Sequence, residues 1–279
     1  MKIMSIYAHP ADHFSESGGT LALHASRGDI ITLVTLTHGG RIHPNAYAEK
    51  NRVSDEAVHV VTREDIIRNK RVEMEKAAEI IGVSDLVNLD YDDNYVGVQP
   101  DIVHRLAQVI AEKRPDVIIT DYPLNAVMPD PHTVASVMVL NALNQVSMYL
   151  KNMDGQNEFW VKQVFMTKLP VYPRDALSLH GIRNDLFIDV SPVIGQKLKA
   201  LDQFASQGYR GDYARKAIET VDGIFGKTGY VNFAEGFCRL YNETRSSLPV
   251  SRHMMENDVL TAHKRYSAIN LRGTYPNEE

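Results

Sequence analysis

The chain opens with two short hydrophobic runs separated by a helical pattern. Residues 3–8 (IMSIYA) and 30–37 (IITLVTLT) are almost continuously hydrophobic, as expected of buried parallel strands. Between them, Gly18-Gly19 precedes the helical pattern TLALHASRG, which Gly28 ends. These features predict a β-loop-α-β unit, in which the glycine pair starts the helix and lets the backbone approach a site closely.

The same alternation continues over the first half of the chain. Helical patterns at 64–81, 101–113 and 132–150 alternate with hydrophobic runs at 86–89 and 116–120. Strands that alternate with helices of this length are typical of parallel sheets. We therefore predict an α/β fold: a doubly wound, mostly parallel Rossmann-like sheet with helices on both faces.

The second half is less regular. It contains candidate strands at 163–171 and 185–190, and candidate helices at 192–206 and 212–222. From about residue 241 the chain turns polar and loses its periodicity. We expect one catalytic domain over 1–240 and a C-terminal tail over 241–279, which packs over the site, joins an oligomer interface or is loose. The connection 40–63 has no clear element, and long loops of this kind often act as lids.

Composition excludes several classes of function. Hydrophobic residues make up 44% and charged residues 23% of the 279, and the net charge is −5, which disfavours a nucleic-acid or anionic-membrane surface. The single Cys238 rules out an intramolecular disulfide and a thiolate-rich metal site. No hydrophobic run is long enough to suggest a membrane span or a signal peptide. We expect a cytoplasmic protein with a small-molecule substrate, in a homo-oligomer.

Histidines and aspartates are concentrated where the predicted strands end. The four segments that follow the first four strands are AHPADH, THGGR, DYDDNY and DYPLNAVMPDPH. In open parallel sheets, ligands bind at the carboxyl ends of the strands, so these segments converge on one rim. Pro10 stiffens the His9-x-x-Asp12 turn, which can direct an imidazole nitrogen and a carboxylate oxygen at one point. A third ligand from a distant loop would give the open layout of a catalytic zinc site.

These motifs resemble the PIG-L/LmbE superfamily, which includes zinc-dependent N-acetylglucosaminide deacetylases. The resemblance runs over nearly the whole chain, through AHPAD and SGGT, the 71–82 helix, RPDVIIT, DPHTVAS, DVSPVIGQKLKAL and AEGF. It implies that His9, Asp12 and His132 hold the metal, which we expect to be Zn²⁺. The same ligands also suit Fe²⁺, Mn²⁺ or Ni²⁺.

Two departures from the family pattern concern the reaction. Ala11 occupies the position of the aspartate that serves as general base in the deacetylases, and Pro129 that of a histidine that helps to stabilise the oxyanion. The alanine makes the chain similar to the branch that holds 4-oxalomesaconate hydratase, which has H-S-A-D at this motif. Segment 209–223 and the turn near Asp93 also resemble that branch.

Three functions follow. The first, slightly favoured by the prevalence of deacetylases in the superfamily, is a metal-dependent hydrolase of an amide or related carbonyl, in which Asp93, His13 or His38 replaces the missing base. The second is a hydratase or lyase of an unsaturated oxo-dicarboxylate, whose carboxylates Arg41 and Arg210 would bind through bidentate guanidinium contacts. The third is a non-catalytic ligand-binding protein.

Overall fold

A computed structural model describes residues 1–40, 62–94, 97–124, 131–150, 159–167 and 184–271. Its strands confirm the predicted α/β fold with a mostly parallel sheet. We number them β1 (Lys2–Tyr7), β2 (Ile30–Thr37), β3 (Asp85–Tyr91), β4 (Val117–Asp121), β5 (Gln163–Thr167), β6 (Leu186–Asp189) and β7 (Ala234–Arg239).

Helices follow most of the strands. The described ranges contain α1 (Asp12–Ser26), α2 (Arg63–Ile80), α3 (Pro100–Lys113), α4 (Pro131–Leu150), α5 (Ile194–Leu201), α6 (Asp212–Thr220), α7 (Asp222–Gly229), α8 (Arg252–Met255) and α9 (Val259–Leu271). Short 3₁₀ turns lie at Ser191–Val193 and Ala205–Gln207. Among the residues described, no helix is long and apolar enough to cross a membrane.

The sheet has the strand order β3-β2-β1-β4-β5-β7-β6. The pairs from β3 to β5 are all parallel, whereas β7 is antiparallel to both β5 and β6. Strands β2 and β3 lie on one side of β1, and the later strands lie on the other side, beginning with β4. The order in which strands are added to the sheet therefore reverses between β1 and β4. Such a switch point opens a crevice at the carboxyl ends of the strands, and ligands bind there.

Hydrophobic side chains cover both faces of the sheet. On one face, Tyr7 and Leu33 pack with residues of α1, α2 and α5, and on the other, Met4 and Val34 pack with residues of α3 and α4. The alternation along β1 and β2 explains why these runs are continuously hydrophobic: both sets of side chains are buried. The two layers fix the carboxyl edge of the sheet.

The structure corrects the predicted start of the first helix. Helix α1 begins at Asp12, so the Gly18-Gly19 pair lies in its middle and not before it. A Cβ atom at position 19 would come within 2.7 Å of the Val190 side chain, so glycine is needed for close packing against that segment. The backbone approach is therefore to Val190 and to the carboxylate of Glu235, which accepts the Gly19 N–H at 2.8 Å.

The second half also departs from the sequence prediction. The helix predicted over 192–206 ends at Leu201, where the chain turns to bury Phe204 against Phe14, with ring centroids 5.3 Å apart. The pattern at 212–222 is the start of two successive helices, α6 and α7, and strand β7 was not predicted. The predicted tail contains helices α8 and α9. The strand expected over 163–171 is described only to residue 167, and most of the 40–63 connection lies outside the described residues.

Candidate metal centre

The three predicted metal ligands meet at the switch point of the sheet. His9 follows β1 directly and Asp12 is the first residue of α1, while His132 lies in the first turn of α4, after β4. The turn between β1 and α1 is closed by the Asp12 N–H, which donates to the His9 carbonyl at 3.3 Å. The His9 N–H in turn donates to Asp12 Oδ2 at 2.9 Å, which fixes that carboxylate toward the His9 ring.

One atom from each of the three side chains points at the same spot. His9 Nδ1 lies 3.2 Å from Asp12 Oδ2 and 3.2 Å from His132 Nε2, and His132 Nε2 lies 3.5 Å from Asp12 Oδ2. Tetrahedral zinc with bonds of 2.0–2.1 Å separates its ligand atoms by about 3.3–3.4 Å. The three separations therefore fit one face of a zinc coordination tetrahedron.

A buried carboxylate fixes the orientation of the His9 ring. Asp93, on the turn after β3, is 5% exposed, and its Oδ1 lies 2.9 Å from His9 Nε2. If neutral His9 donates its Nε2–H to Asp93, then Nδ1 carries a lone pair that faces the carboxylate of Asp12. Two acceptors 3.2 Å apart need a proton or a metal ion between them. A carboxylate on the far nitrogen is also the usual support of a metal-binding histidine.

Electrostatics at His9 lead to the same conclusion. Burial lowers the pKa of the His9 imidazole, but Asp12 and the Asp93 hydrogen bond outweigh burial, and the net shift is upward. A group whose positively charged form is favoured despite burial lies in a negative potential. A proton or a metal ion can satisfy that potential, and the donor set of two imidazoles and one carboxylate suits zinc.

The structure does not bring Ala11 or His13 to the metal centre as bases. The Ala11 side chain is buried in the core and carries no titratable group. His13 is fully buried on the other side of the turn, where Nδ1 lies 2.8 Å from Ser5 Oγ and Nε2 lies 3.0 Å from Thr35 Oγ1. Burial lowers the pKa of His13 to about 3. Both its ring nitrogens are thus engaged inside the protein.

The other predicted site residues have different outcomes. His38 lies on the same sheet edge, after β2, and its Nδ1 accepts the Gly40 N–H at 3.1 Å. Arg41 and Pro129 lie outside the described residues. The structure does not bring Arg210 to the three ligands, because it lines a separate cleft on another face of α2.

Sequence reasoning missed Lys70, which α2 directs toward the same region. Its side chain is 3% exposed, and its ammonium donates to the carbonyl of Gly39. Burial lowers the pKa of Lys70, and the nearby carboxylates of Asp93 and Asp12 oppose that shift. A sequence signal existed: position 70 falls on the buried stripe of α2 with Ile66 and Met74, where a lysine is unusual.

Comparison with known proteins identifies the family. The PIG-L family (GlcNAc-PI de-N-acetylase) matches residues 4–143, half of the chain, including all three converging side chains. The chain belongs to this family. The superfamily expected from the AHPAD and DPHTVAS motifs is thereby confirmed, while the matched ranges leave the reaction open.

The relatives of this chain include both a hydratase and deacetylases. A 4-oxalmesaconate hydratase of Pseudomonas putida is 25% identical over 210 residues, which cover 75% of this chain and 74% of the relative. A probable N-acetyl-alpha-D-glucosaminyl L-malate deacetylase 2 of Bacillus cereus is 27% identical over 210 residues, covering 74% of this chain and 83% of the relative. These relatives support an enzyme of the deacetylase or hydratase type.

Solved structures share the fold. GalB, the 4-carboxy-2-hydroxymuconate hydratase of Pseudomonas putida, superposes with a TM-score of 0.69 at 21% identity, covering 89% of this chain and 99% of that one. The N,N'-diacetylchitobiose deacetylase of Pyrococcus horikoshii gives a TM-score of 0.66 at 17% identity, covering 86% of this chain and 83% of that one. At these identities the likeness establishes the fold alone.

Proposed function

We propose that His9, Asp12 and His132 hold one divalent metal ion, zinc in the first instance. The proposal rests on the three ligand-atom separations of 3.2–3.5 Å and on the Asp93 carboxylate behind His9. Such an ion supplies Lewis acidity: it polarises a carbonyl oxygen and lowers the pKa of water from near 16 toward about 7. The partly exposed ring of His132 leaves one side of the centre open to a substrate.

We further propose that the enzyme is a hydro-lyase, which adds water to an unsaturated oxo-dicarboxylate or removes it. The observation that carries this proposal is that Ala11 leaves no side-chain base at the position where the deacetylases carry theirs, and that neither Asp93 nor His13 replaces it. Asp93 is bound to His9, and His13 is enclosed in the core. Amide hydrolysis in the deacetylases depends on such a base, whose contribution is typically about 10²–10⁴-fold.

The chain's own residues suit a carboxylate-bearing substrate. Lys70 places a buried ammonium beside the centre. Arg41, which lies outside the described residues, comes four positions after the end of β2 in the sequence, and a guanidinium can bind a carboxylate in bidentate fashion. We assign to His38 the role of the acid that donates a proton to the substrate carbon when water is added. Its Nδ1 accepts a backbone N–H, so its neutral form carries the proton on Nε2 and can donate it.

Deacetylase-like hydrolysis is the second candidate. The family match and the Bacillus cereus relative favour it. Hydrolysis requires a general base that takes the proton from water. Since Ala11 cannot do so, Asp93 is bound to His9 and His13 is enclosed in the core, His38 is the remaining candidate base among the described residues. The two candidates therefore differ in whether position 11 limits the reaction.

The deciding experiment uses zinc-loaded protein with Ala11 intact and with Ala11→Asp. One assay follows the ultraviolet absorbance of unsaturated oxo-dicarboxylates, and the other measures primary-amine release from N-acyl sugars. The hydro-lyase proposal expects the wild type to change the absorbance and release no amine. Release of amine by Ala11→Asp alone would mean that the centre still binds amides but lacks the base.

Ala11→Asn is the matched control, because it has the size of the aspartate variant without its carboxylate. Amine release by the wild type would overturn the hydro-lyase proposal in favour of the hydrolase. Inactivity in both assays, with one metal ion bound per chain, would favour the non-catalytic ligand-binding protein. Elemental analysis of the purified protein would identify the metal.

A further inference from the structure

A second cleft, separate from the metal centre, lies along helix α2. It has a volume of about 750 Å³ and is bounded by α2 on one side and by segment 202–215 on the other. None of the three metal-centre residues, nor Asp93, belongs to its walls. Its size falls within the range of small-molecule sites, about 300–1,000 Å³.

Helix α2 presents different faces to the two regions. Lys70 and Met74 point into the protein. The residues on the cleft side are Arg68, Asn69, Val72, Glu73 and Lys76. Their spacing, with steps of three and four, places them on one side of a helix that has 3.6 residues per turn. The cleft is therefore a surface feature of α2 that the packing of the core does not require.

Cations dominate the cleft. Arg68 and Lys76 come from α2, and Arg210 and Arg215 come from the opposite wall. Two acids, Glu73 and Asp202, also line it, so the formal charge of its walls is +2 in a chain whose net charge is −5. A local excess of positive charge attracts anions to the cleft, although the protein as a whole is negatively charged.

Both acids are already occupied by the protein. Glu73 accepts hydrogen bonds from the Ser206 N–H at 2.9 Å and from the Ser206 hydroxyl at 2.5 Å. Asp202 accepts the Gly211 N–H at 3.0 Å. The Glu73 bonds hold Ser206 against α2, and the Asp202 bond closes segment 202–211 on itself, so both carboxylates help to fix the shape of the cleft.

The cations remain directed toward the cleft. Arg215 is oriented by its bonds to the Gly211 carbonyl, at 3.1 Å, and to Asp202, at 3.4 Å. Arg210 is exposed and makes no ion pair within the described part of the chain. The Arg68–Asp65 pair is exposed at the surface, where such pairs contribute little and exchange readily.

We propose that this cleft is a binding site for an elongated small molecule that carries two or more phosphate or carboxylate groups. Arg68 and Lys76 lie eight residues apart, about 12 Å along the helix axis at 1.5 Å per residue. A single small anion cannot contact cations at both ends, whereas a molecule with an acidic group at each end can. Arginine on the facing wall matches either group through two parallel hydrogen bonds.

The test measures binding by isothermal titration calorimetry on the full chain. The probes are fructose 1,6-bisphosphate for the phosphate arm and suberate, a linear eight-carbon dicarboxylate, for the carboxylate arm. We expect saturable binding of one probe at one site per chain, and the tighter of the two identifies the acidic group. Arg210→Gln and Lys76→Gln should each weaken that binding by about 10–100-fold, since each removes a charge-assisted hydrogen bond.

Two further variants make the result specific. Arg252→Gln removes one positive charge from the exposed surface of α8, outside the cleft, and should change the affinity by less than about twofold because exposed charges contribute little. His132→Ala should leave the affinity unchanged, because His132 is not part of the cleft. This variant is included because both probes can also chelate a metal ion. Loss of binding in His132→Ala would assign the anion to the metal centre and overturn the proposal.

Two other outcomes would overturn it. One is the absence of saturable binding by either probe at millimolar concentration. The other is equal weakening in Arg210→Gln and Arg252→Gln, which would indicate general attraction to charge. Unchanged thermal unfolding of the variants at Lys76, Arg210 and Arg252 would establish that they fold, because these three side chains are on the surface.

Discussion

Two clusters of charged side chains lie within this fold, and they are built on opposite principles. In the first, Lys197 is 1% exposed and its ammonium lies 2.6 Å from Asp222 Oδ2 and 2.8 Å from Glu235 Oε1. Glu235 also accepts the N–H groups of Gly19 and Thr20, each at 2.8 Å. Every charge in this cluster faces a partner of the opposite sign or a hydrogen-bond donor.

In the second cluster, His9 Nδ1, Asp12 Oδ2 and His132 Nε2 lie 3.2–3.5 Å from one another. No described side chain places a positive charge between them. Buried charges that are satisfied from within hold the structure together, whereas acceptors that converge on one another call for a ligand from outside. The comparison therefore predicts a stabilising role for the Lys197 cluster and cation binding for the centre at His9.

The largest expected effect comes from Lys197→Met. This substitution leaves the carboxylates of Asp222 and Glu235 buried side by side without their cation. Removal of one partner from a buried ion pair typically costs about 3–5 kcal/mol. We expect a loss of that size in the free energy of unfolding, measured by urea denaturation.

Lys199→Met is the control, because it makes the same chemical change on the exposed side of α5. It should alter the free energy of unfolding by less than about 0.5 kcal/mol. A similar small effect from Lys197→Met would show that the cluster does not stabilise the fold, and the comparison between the two clusters would fail.

The second prediction concerns the converging side chains. His132→Ala should weaken zinc binding by more than about 100-fold, because even the residues that support metal ligands contribute about 10–100-fold. Metal-free stability should change little, since the His132 side chain is 28% exposed. Competition with a chelating dye measures the affinity, and His104→Ala, an exposed histidine of α3, should leave it unchanged.

Asp93→Asn sharpens the comparison by testing a residue that acts through His9. The amide keeps the shape of the carboxylate but loses its charge, so His9 is oriented less firmly and is a weaker ligand. We expect zinc affinity to fall by about 10–100-fold. The neighbouring Asp92→Asn removes an equal charge from an exposed pair with Arg63 and should have no such effect. Equal effects would mean that overall charge and not the His9 contact determines the affinity.

Local patterns made the convergence of His9, Asp12 and His132 predictable from sequence. His9 and Asp12 follow a continuous hydrophobic run, and β1 and β4 are neighbours in the sheet order, so a histidine after β4 is brought to them. His13 shows the limit of this reasoning. Because α1 begins at Asp12, one residue further along the helix turns the side chain by about 100°. That rotation places His13 in the core, and adjacency in sequence does not reveal it.

Long-range contacts made the Lys197 cluster unpredictable. Gly19 lies in the middle of a helix, and its hydrogen-bond partner Glu235 is 216 residues away, on the unpredicted strand β7. That strand contains Glu235 and Gly236, which weaken its hydrophobic pattern, and both are explained only by neighbours that fold against them. A glycine that is required for close packing looks in sequence like a glycine that ends a loop.

The final prediction uses pH to test the Lys197 cluster. Burial raises the pKa of Asp222 to about 7 from its ordinary value of 3.8, against the opposing effect of Lys197, because two carboxylates share one ammonium. The folded state then holds a proton that the unfolded state has lost over this window, so the cluster's contribution to stability falls as the pH rises from about 4 to about 7. The slope is at most about 1.4 kcal/mol per pH unit.

Asp222→Asn removes this titration, so the difference in unfolding free energy between wild type and variant should shift in the variant's favour across the window. A pH-independent difference would mean that Asp222 stays ionised beside Lys197 throughout.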